Sequence, residues 1–185
     1  MEVIKIVFFV LGVFFGEDSR IGAEKATVTV NSKEKEVVIV QEGVFALIKN
    51  KQDSIQVNSE LEKIIARNWR KEIKSYPSKS CTFHTTEEGN LNATIILNYS
   101  SVKDLKDFAL EFNEETNEFS LINIPNWNIE TKQGELNGNY WKFKGNNEFT
   151  FIVTPFKNMP EQLISAKRNF RPILEAKTSK IKQDE

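Results

Sequence analysis

The stretch Leu91-Asn-Ala-Thr-Ile-Ile-Leu-Asn-Tyr99 decides the fold class. Leu91, Ala93, Ile95, Leu97 and Tyr99 fall on one face of a two-residue alternation. Asn92, Thr94 and Asn98 share the other face, which only Ile96 interrupts. Side chains of a strand point alternately to opposite faces, so this is a strand with one buried and one wet side. Upstream, Glu87-Glu-Gly-Asn90 reads as a hairpin turn. The partner strand then starts at Ser80, with Cys81 and Phe83 on one face and Thr82 and His84 on the other.

Further upstream the period changes. Leu61, Ile65, Trp69 and Ile73 step by four with Ile64 beside them, and Lys63, Arg67, Arg70 and Lys74 lie opposite. This predicts an amphipathic helix over Ser59–Ser75. Ser59 followed three residues later by Glu62 has the pattern of a capping box. Tyr76-Pro77 ends the helix, since a residue before proline is pushed out of the helical region. Before the helix, Val28 and Val30 mark a strand over Ala26–Asn31, and Ser32–Lys35 is a polar turn. A second strand spans Glu36–Ile48, broken or bent at Gly43.

Downstream, Ser101 with Asp104 caps a short helix ending near Asp107. Ala109–Phe112 and Glu118–Ile124 flank a turn at Asn113–Asn117. A third hairpin is expected between Tyr140–Phe143 and Phe149–Val153, across Lys144–Glu148. Gln162–Phe170 reads as a short helix and residues 171–185 as a frayed tail. The expectation is one α+β domain over residues 24–170, a mostly antiparallel sheet packed against the helix at about Ser59–Ser75.

Residues 1–23 read as a signal peptide or N-terminal anchor. The run Ile6–Phe15 carries no charge, and Glu17, Asp18 and Arg20 follow it. An export signal has an apolar core of ~7–15 residues, whereas a membrane span needs ~20. Gly16 suits the position before a cut, although Phe14 two residues earlier is bulky. A cut after Ala23 meets the same objection from Ile21. The chain is therefore read as secreted or extracytoplasmic: periplasm, cell surface or secretory lumen. It touches a membrane only through an uncleaved N-terminal segment, if at all.

The 185 residues suit a single domain, and 14 Phe with 3 Trp supply its core. A formal charge of −1 gives no long-range pull toward nucleic acid. The one cysteine, Cys81, excludes a scaffold stapled by internal disulfides. Asn92-Ala-Thr94 and Asn98-Tyr-Ser100 are possible glycosylation sites. With 18 asparagines, chance alone yields about two such matches.

Catalytic constellations find little support. Cys81 and His84 should diverge along a strand, and no second Cys or other His completes a metal site. Carboxylates such as Asp104, Asp107 and Glu111 read as solvated charges; glycoside hydrolysis would need two of them set across a cleft. No cofactor is implied. The one ligand-binding candidate is the loop Ile122–Ile129, with Trp127 between Asn126 and Asn128, and Tyr140 and Trp141 nearby. An aromatic surface beside amide groups holds a sugar or peptide. Against this, Trp127 folding back as a lid over the sheet edge is the favoured alternative, although the loop itself should lie at or near the surface. Three functions follow in order: a non-catalytic exported domain binding a protein or an envelope or surface component, a carrier of an apolar ligand within the sheet, and a carboxylate-based hydrolase.

Overall fold

A computed structural model of the chain describes residues 19–65 and 76–181, the side chains at 107, 126, 180 and 181 excepted. The first two strands, β1 (Ile21–Asn31) and β2 (Glu36–Leu47), form a long antiparallel hairpin. Helix α1 (Lys51–Ile65) follows, then the hairpin β3 (Ser78–Thr85) and β4 (Leu91–Asn98). A 3-10 helix over Val102–Phe108 leads into β5 (Leu110–Asn113), β6 (Glu118–Ile122), β7 (Glu135–Asn137) and β8 (Tyr140–Lys144). The chain ends in β9 (Phe149–Val153), the single turn α2 (Glu161–Ile164), β10 (Lys167–Asn169) and α3 (Arg171–Ile181).

The strands divide into two antiparallel sheets. The large one runs β3-β4-β2-β1-β9, and β10 pairs with the end of β2 that lies beyond β4. The small one runs β5-β6-β8-β7. β4 keeps its odd residues buried and its even ones half-buried, as its alternation requires. Val28, Val30, Val37, Ile39, Ile95, Leu97 and Phe151 of the large sheet share one core with Leu110, Phe119, Leu121 and Phe143 of the small one. At the other end, Ile21, Ala23, Val44, Ala46, Leu91 and Ala93 pack on Val57, Leu61 and Ile64 of α1 and on Phe170 ahead of α3. The domain is α+β, with its main helix on an antiparallel sheet.

The change of cover coincides with an irregularity. Inward residues of β1 are Ala26, Val28 and Val30 at one end but Ile21 and Ala23 at the other, and β2 shifts phase between Gln41 and Val44. The β1–β2 register does not change across this point, so both strands add one residue at the same level. Gly43 makes the step in β2 with φ +65°, a conformation strained for any side chain. Its N–H is received by Asn92 Oδ1 at 3.0 Å. At this level Gln41 is fully buried opposite Ala26 and Ala93, and its amide has no hydrogen-bond partner among the described residues.

Three expectations need correction. The helix starts upstream of Ser59, at Asn50. Asp53 N–H donates to Asn50 Oδ1 (3.0 Å) and Asn50 N–H donates to Asp53 Oδ2 (3.3 Å), the reciprocal bonds of a capping box. Ser59 is exposed within α1, and Glu62 instead pairs with Lys177 of α3 at 2.5 Å. Trp69 and Ile73 lie outside the described residues. Second, Tyr140–Phe143 and Phe149–Val153 do not pair. β8 lies between β6 and β7, and β9 joins β1 in the other sheet. The Lys144–Glu148 turn crosses between sheets because Phe143 and Phe149 stack inside at 4.3 Å. Third, the region 162–170 is split between α2 and β10, and Arg171–Ile181 of the expected tail is helical, with Ile173 and Leu174 against the core. The short helix capped by Ser101 and Asp104 is present as read, with both reciprocal bonds.

These assignments separate two capping serine or asparagine positions. Asn50→Ala should lower unfolding stability by about 1 kcal/mol, whereas Ser59→Ala should stay within about 0.5 kcal/mol. Urea unfolding of both variants checks this; the reverse order would put the helix start back at Ser59.

Candidate functional site

The Trp127 loop is built to finish the large sheet. A 3-10 turn over Pro125–Trp127 is followed by Asn128 in the left-handed region, φ 47°. Trp127 is only 2% exposed and belongs to the core between the sheets. The loop then runs beside β9 and meets its outward backbone groups in turn. Thr150 N–H donates to Gln133 Oε1 and Thr150 O accepts from Thr131 Oγ1, both at 2.7 Å. Ile152 and Glu130 exchange backbone bonds of 2.8 and 3.0 Å. Thr154 N–H donates to Trp127 O at 2.9 Å, and Asn128 Nδ2 donates to Thr154 O at 3.0 Å. The ring thus folds back at the sheet edge, as the favoured alternative has it, and the expectation that the loop presents Trp127 at or near the surface is corrected. The ring is a core side chain, because a strand edge left to water needs a cover and a large aromatic is more stable buried.

The expected platform therefore separates. Trp127 and Asn128 serve the edge of β9, and the side chain of Asn126 lies outside the described residues. Trp141 is half-buried against the core, with Nε1 donating to Asn123 Oδ1 at 3.2 Å. Tyr140 alone stands out, 43% exposed. β8 alternates, so Trp141 and Phe143 face inward while Tyr140 and Lys142 face out.

Around Tyr140 the outer face of the small sheet carries ordered polar groups. Ile122 and Asn137 flank Tyr140 across the strands, and Ile122 is also exposed. One step along, Glu111, Ser120, Lys142 and Glu135 form a cross-strand row. Lys142 Nζ donates to Ser120 Oγ at 2.6 Å and sits 5.7 Å from the centre of the Tyr140 ring. Tyr140, Lys142, Ser120 and Glu111, with Phe112 and the Asn113–Glu115 turn, border an open depression of about 700 Å³. An aromatic face beside carboxylate, amide, hydroxyl and ammonium groups can stack on a ring or a planar group and hydrogen-bond its rim.

Two buried carboxylates hold the start of the domain. Asp53 accepts from Arg20 Nε at 2.8 Å, from Lys49 N–H at 2.9 Å and from Asn50 N–H. Glu60, 3% exposed, accepts from Ser19 Oγ at 2.9 Å, from Arg20 N–H at 3.1 Å and from Gln56 Nε2 at 3.2 Å. The Arg20 hydrogen bond leads the effects that lower the Asp53 pKa. Burial raises that of Glu60 despite its hydrogen bonds. Their lone pairs are engaged by the fold, which suits fastening rather than proton transfer to a substrate.

The remaining sequence candidates are dispersed. Cys81 is half-buried against both cores, less enclosed than a buried structural thiol. His84 is exposed on the opposite face of β3, with Nε2 3.0 Å from Thr94 Oγ1. Asn92 is engaged by Gly43, and Asn98 Nδ2 lies 3.5 Å from Glu36 Oε2. Asp104 caps the 3-10 helix, and Glu111 is exposed on the small sheet. Among the described residues no three His, Cys, Asp or Glu side chains come together as a metal site.

Two measurements follow. Trp127→Ala should cost about 3–5 kcal/mol in urea unfolding, the magnitude of a core aromatic; a change under about 1 kcal/mol would return the ring to the surface. The pH dependence has a definite sign. A carboxyl raised by burial binds its proton more tightly in the fold. The Glu60 contribution therefore grows as pH falls from neutrality through the raised value toward its ordinary 4.5, and levels off below it. The Asp53 contribution runs the other way, being lost below 3.8 as pH falls through the lowered value. Subtracting Glu60→Gln from the native protein across pH 4–7 should isolate the first limb, and a flat difference would refute it.

No family model matches the chain, and no curated protein or solved structure matches it either.

Proposed function

We propose that this chain is a non-catalytic exported domain that binds a protein or an envelope or surface component, and that contact is made by the outer face of the small sheet around Tyr140. The observation that carries this reading is the exposed Tyr140 ring, fixed on a paired strand among Lys142, Ser120, Glu111 and Asn137. A rigid aromatic gives contact area at little conformational cost. Its neighbours supply both donors and acceptors. The inward side of the same strand, Trp141 and Phe143, ties the surface to the core. Export rests on the uncharged run Ile6–Phe15 and the charges directly after it.

The reading is tested with the full chain, fluorescently labelled and added to intact cells and isolated envelopes of its host. Tyr140→Ala should reduce retention at least tenfold while leaving the urea midpoint unchanged. Equal retention by the variant, or no retention by the native chain, would overturn the reading.

A further inference from the structure

We propose, resting on the reading above, that the partner of the small sheet is a basic polypeptide segment. Its arginine or lysine side chains would sit among Glu111, Glu114 and Glu115, and an apolar side chain against Tyr140 and Ile122. The outer face of this sheet is unpartnered, while its inner face packs on the large sheet through Phe119, Leu121 and Phe143. Among the described residues, the exposed Ile55 and Ile164 stand singly on α1 and α2. Ile122 and Tyr140 instead oppose one another across paired strands, where side chains touch and form a continuous apolar strip. Exposed Leu136 lies on the adjoining edge strand β7.

Charge decides what this face accepts. Glu111, Glu118 and Glu135 share the outward rows of β5, β6 and β7, and Glu114 and Glu115 stand on the turn beside them. Lys142 and Lys144 are the only cations these four strands carry. The face is therefore negative on a chain whose formal charge is only −1. None of the five glutamates enters an ion pair among the described residues, although the large sheet and the helices form several, such as Lys25–Glu42 and Lys177–Glu62. Lys142 turns its ammonium to Ser120 Oγ and to the Tyr140 ring. Glu111, Glu114 and Glu115 thus repel one another around one depression, and a cation placed there relieves all three. An anionic surface polymer would meet the same repulsion. The depression is open, whereas small ligands are mostly enclosed by their sites, so an extended segment lying across it fits better. Arginine suits both parts of the face, since a guanidinium stacks on an aromatic ring and forks to a carboxylate.

The test uses the full chain and two fluorescein-labelled peptides of equal length, one carrying arginine among leucine and alanine, the other glutamate in place of arginine. The arginine peptide should bind and the glutamate peptide should not. Glu111→Gln, Glu114→Gln and Glu115→Gln together keep the shape and remove the charge. They should weaken the arginine peptide about tenfold, the scale of a few exposed ion pairs. The same change of charge at exposed Glu87, Glu88 and Glu161, outside the small sheet, should leave binding unaltered. Equal losses in the two triple variants, or preference for the glutamate peptide, would overturn the inference. Retention on host envelopes separates this failure from that of the reading beneath it. Retention lost in Tyr140→Ala but kept in the Glu111, Glu114 and Glu115 variant removes the basic partner and leaves the contact face standing. Retention indifferent to Tyr140→Ala removes the face itself.

Discussion

Water must be kept off one apolar face along the whole length of the large sheet. No single element is long enough to cover it. At the end formed by Val30, Val37 and Leu97 the cover is the small sheet; at the end formed by Ile21, Ala46 and Leu91 it is α1 with the chain entering α3. The coordinated extra residue in β1 and β2 lies between the two covers. It keeps apolar side chains inward on both sides of a phase shift that would otherwise turn half of each strand to water. Gly43 and the Asn92 side chain that receives its N–H are local requirements of that arrangement.

Much of this was legible. The alternation of Leu91–Tyr99, the bend at Gly43 and the Ser101–Asp104 box are carried by residues close in sequence, and each element follows from them. Misreadings arose where two local patterns competed or where the deciding partner was distant. Asn50 and Asp53 have capping-box spacing just as Ser59 and Glu62 do. The first pair wins because Val57, Leu61 and Ile64 then meet the sheet and Asp53 meets Arg20. The two Phe-rich strands β8 and β9 look like a hairpin, but β1 is a better partner for β9 and only the assembled sheets reveal it.

The candidate site was partly legible for the same reason. The alternation in Tyr140-Trp-Lys-Phe143 already separates an outward Tyr140 from an inward Trp141. The grouping of Tyr140 with Glu111 and Ser120 was not visible, since it depends on β8 lying against β6. The Pro/Asn-rich setting of Trp127 suggests an exposed loop, but those residues turn the chain so that its backbone reaches β9. Composition marks such a segment as irregular without saying which strand it attends. Nor could charge patterning single out Asp53 and Glu60, whose partner Arg20 lies far away in sequence beyond the whole β1–β2 hairpin.

The covering of β9 bears on how copies of this chain can associate. Joining large sheets into an open-ended fibre needs two receptive edges on each molecule, one to accept and one to offer. Here the outward groups of Thr150, Ile152 and Thr154 are all taken by residues 127–133. Strand addition along β9 is therefore blocked, and this edge offers no backbone groups to a second copy. Six hydrogen bonds from one irregular segment thus withdraw the β9 edge from end-to-end joining of sheets.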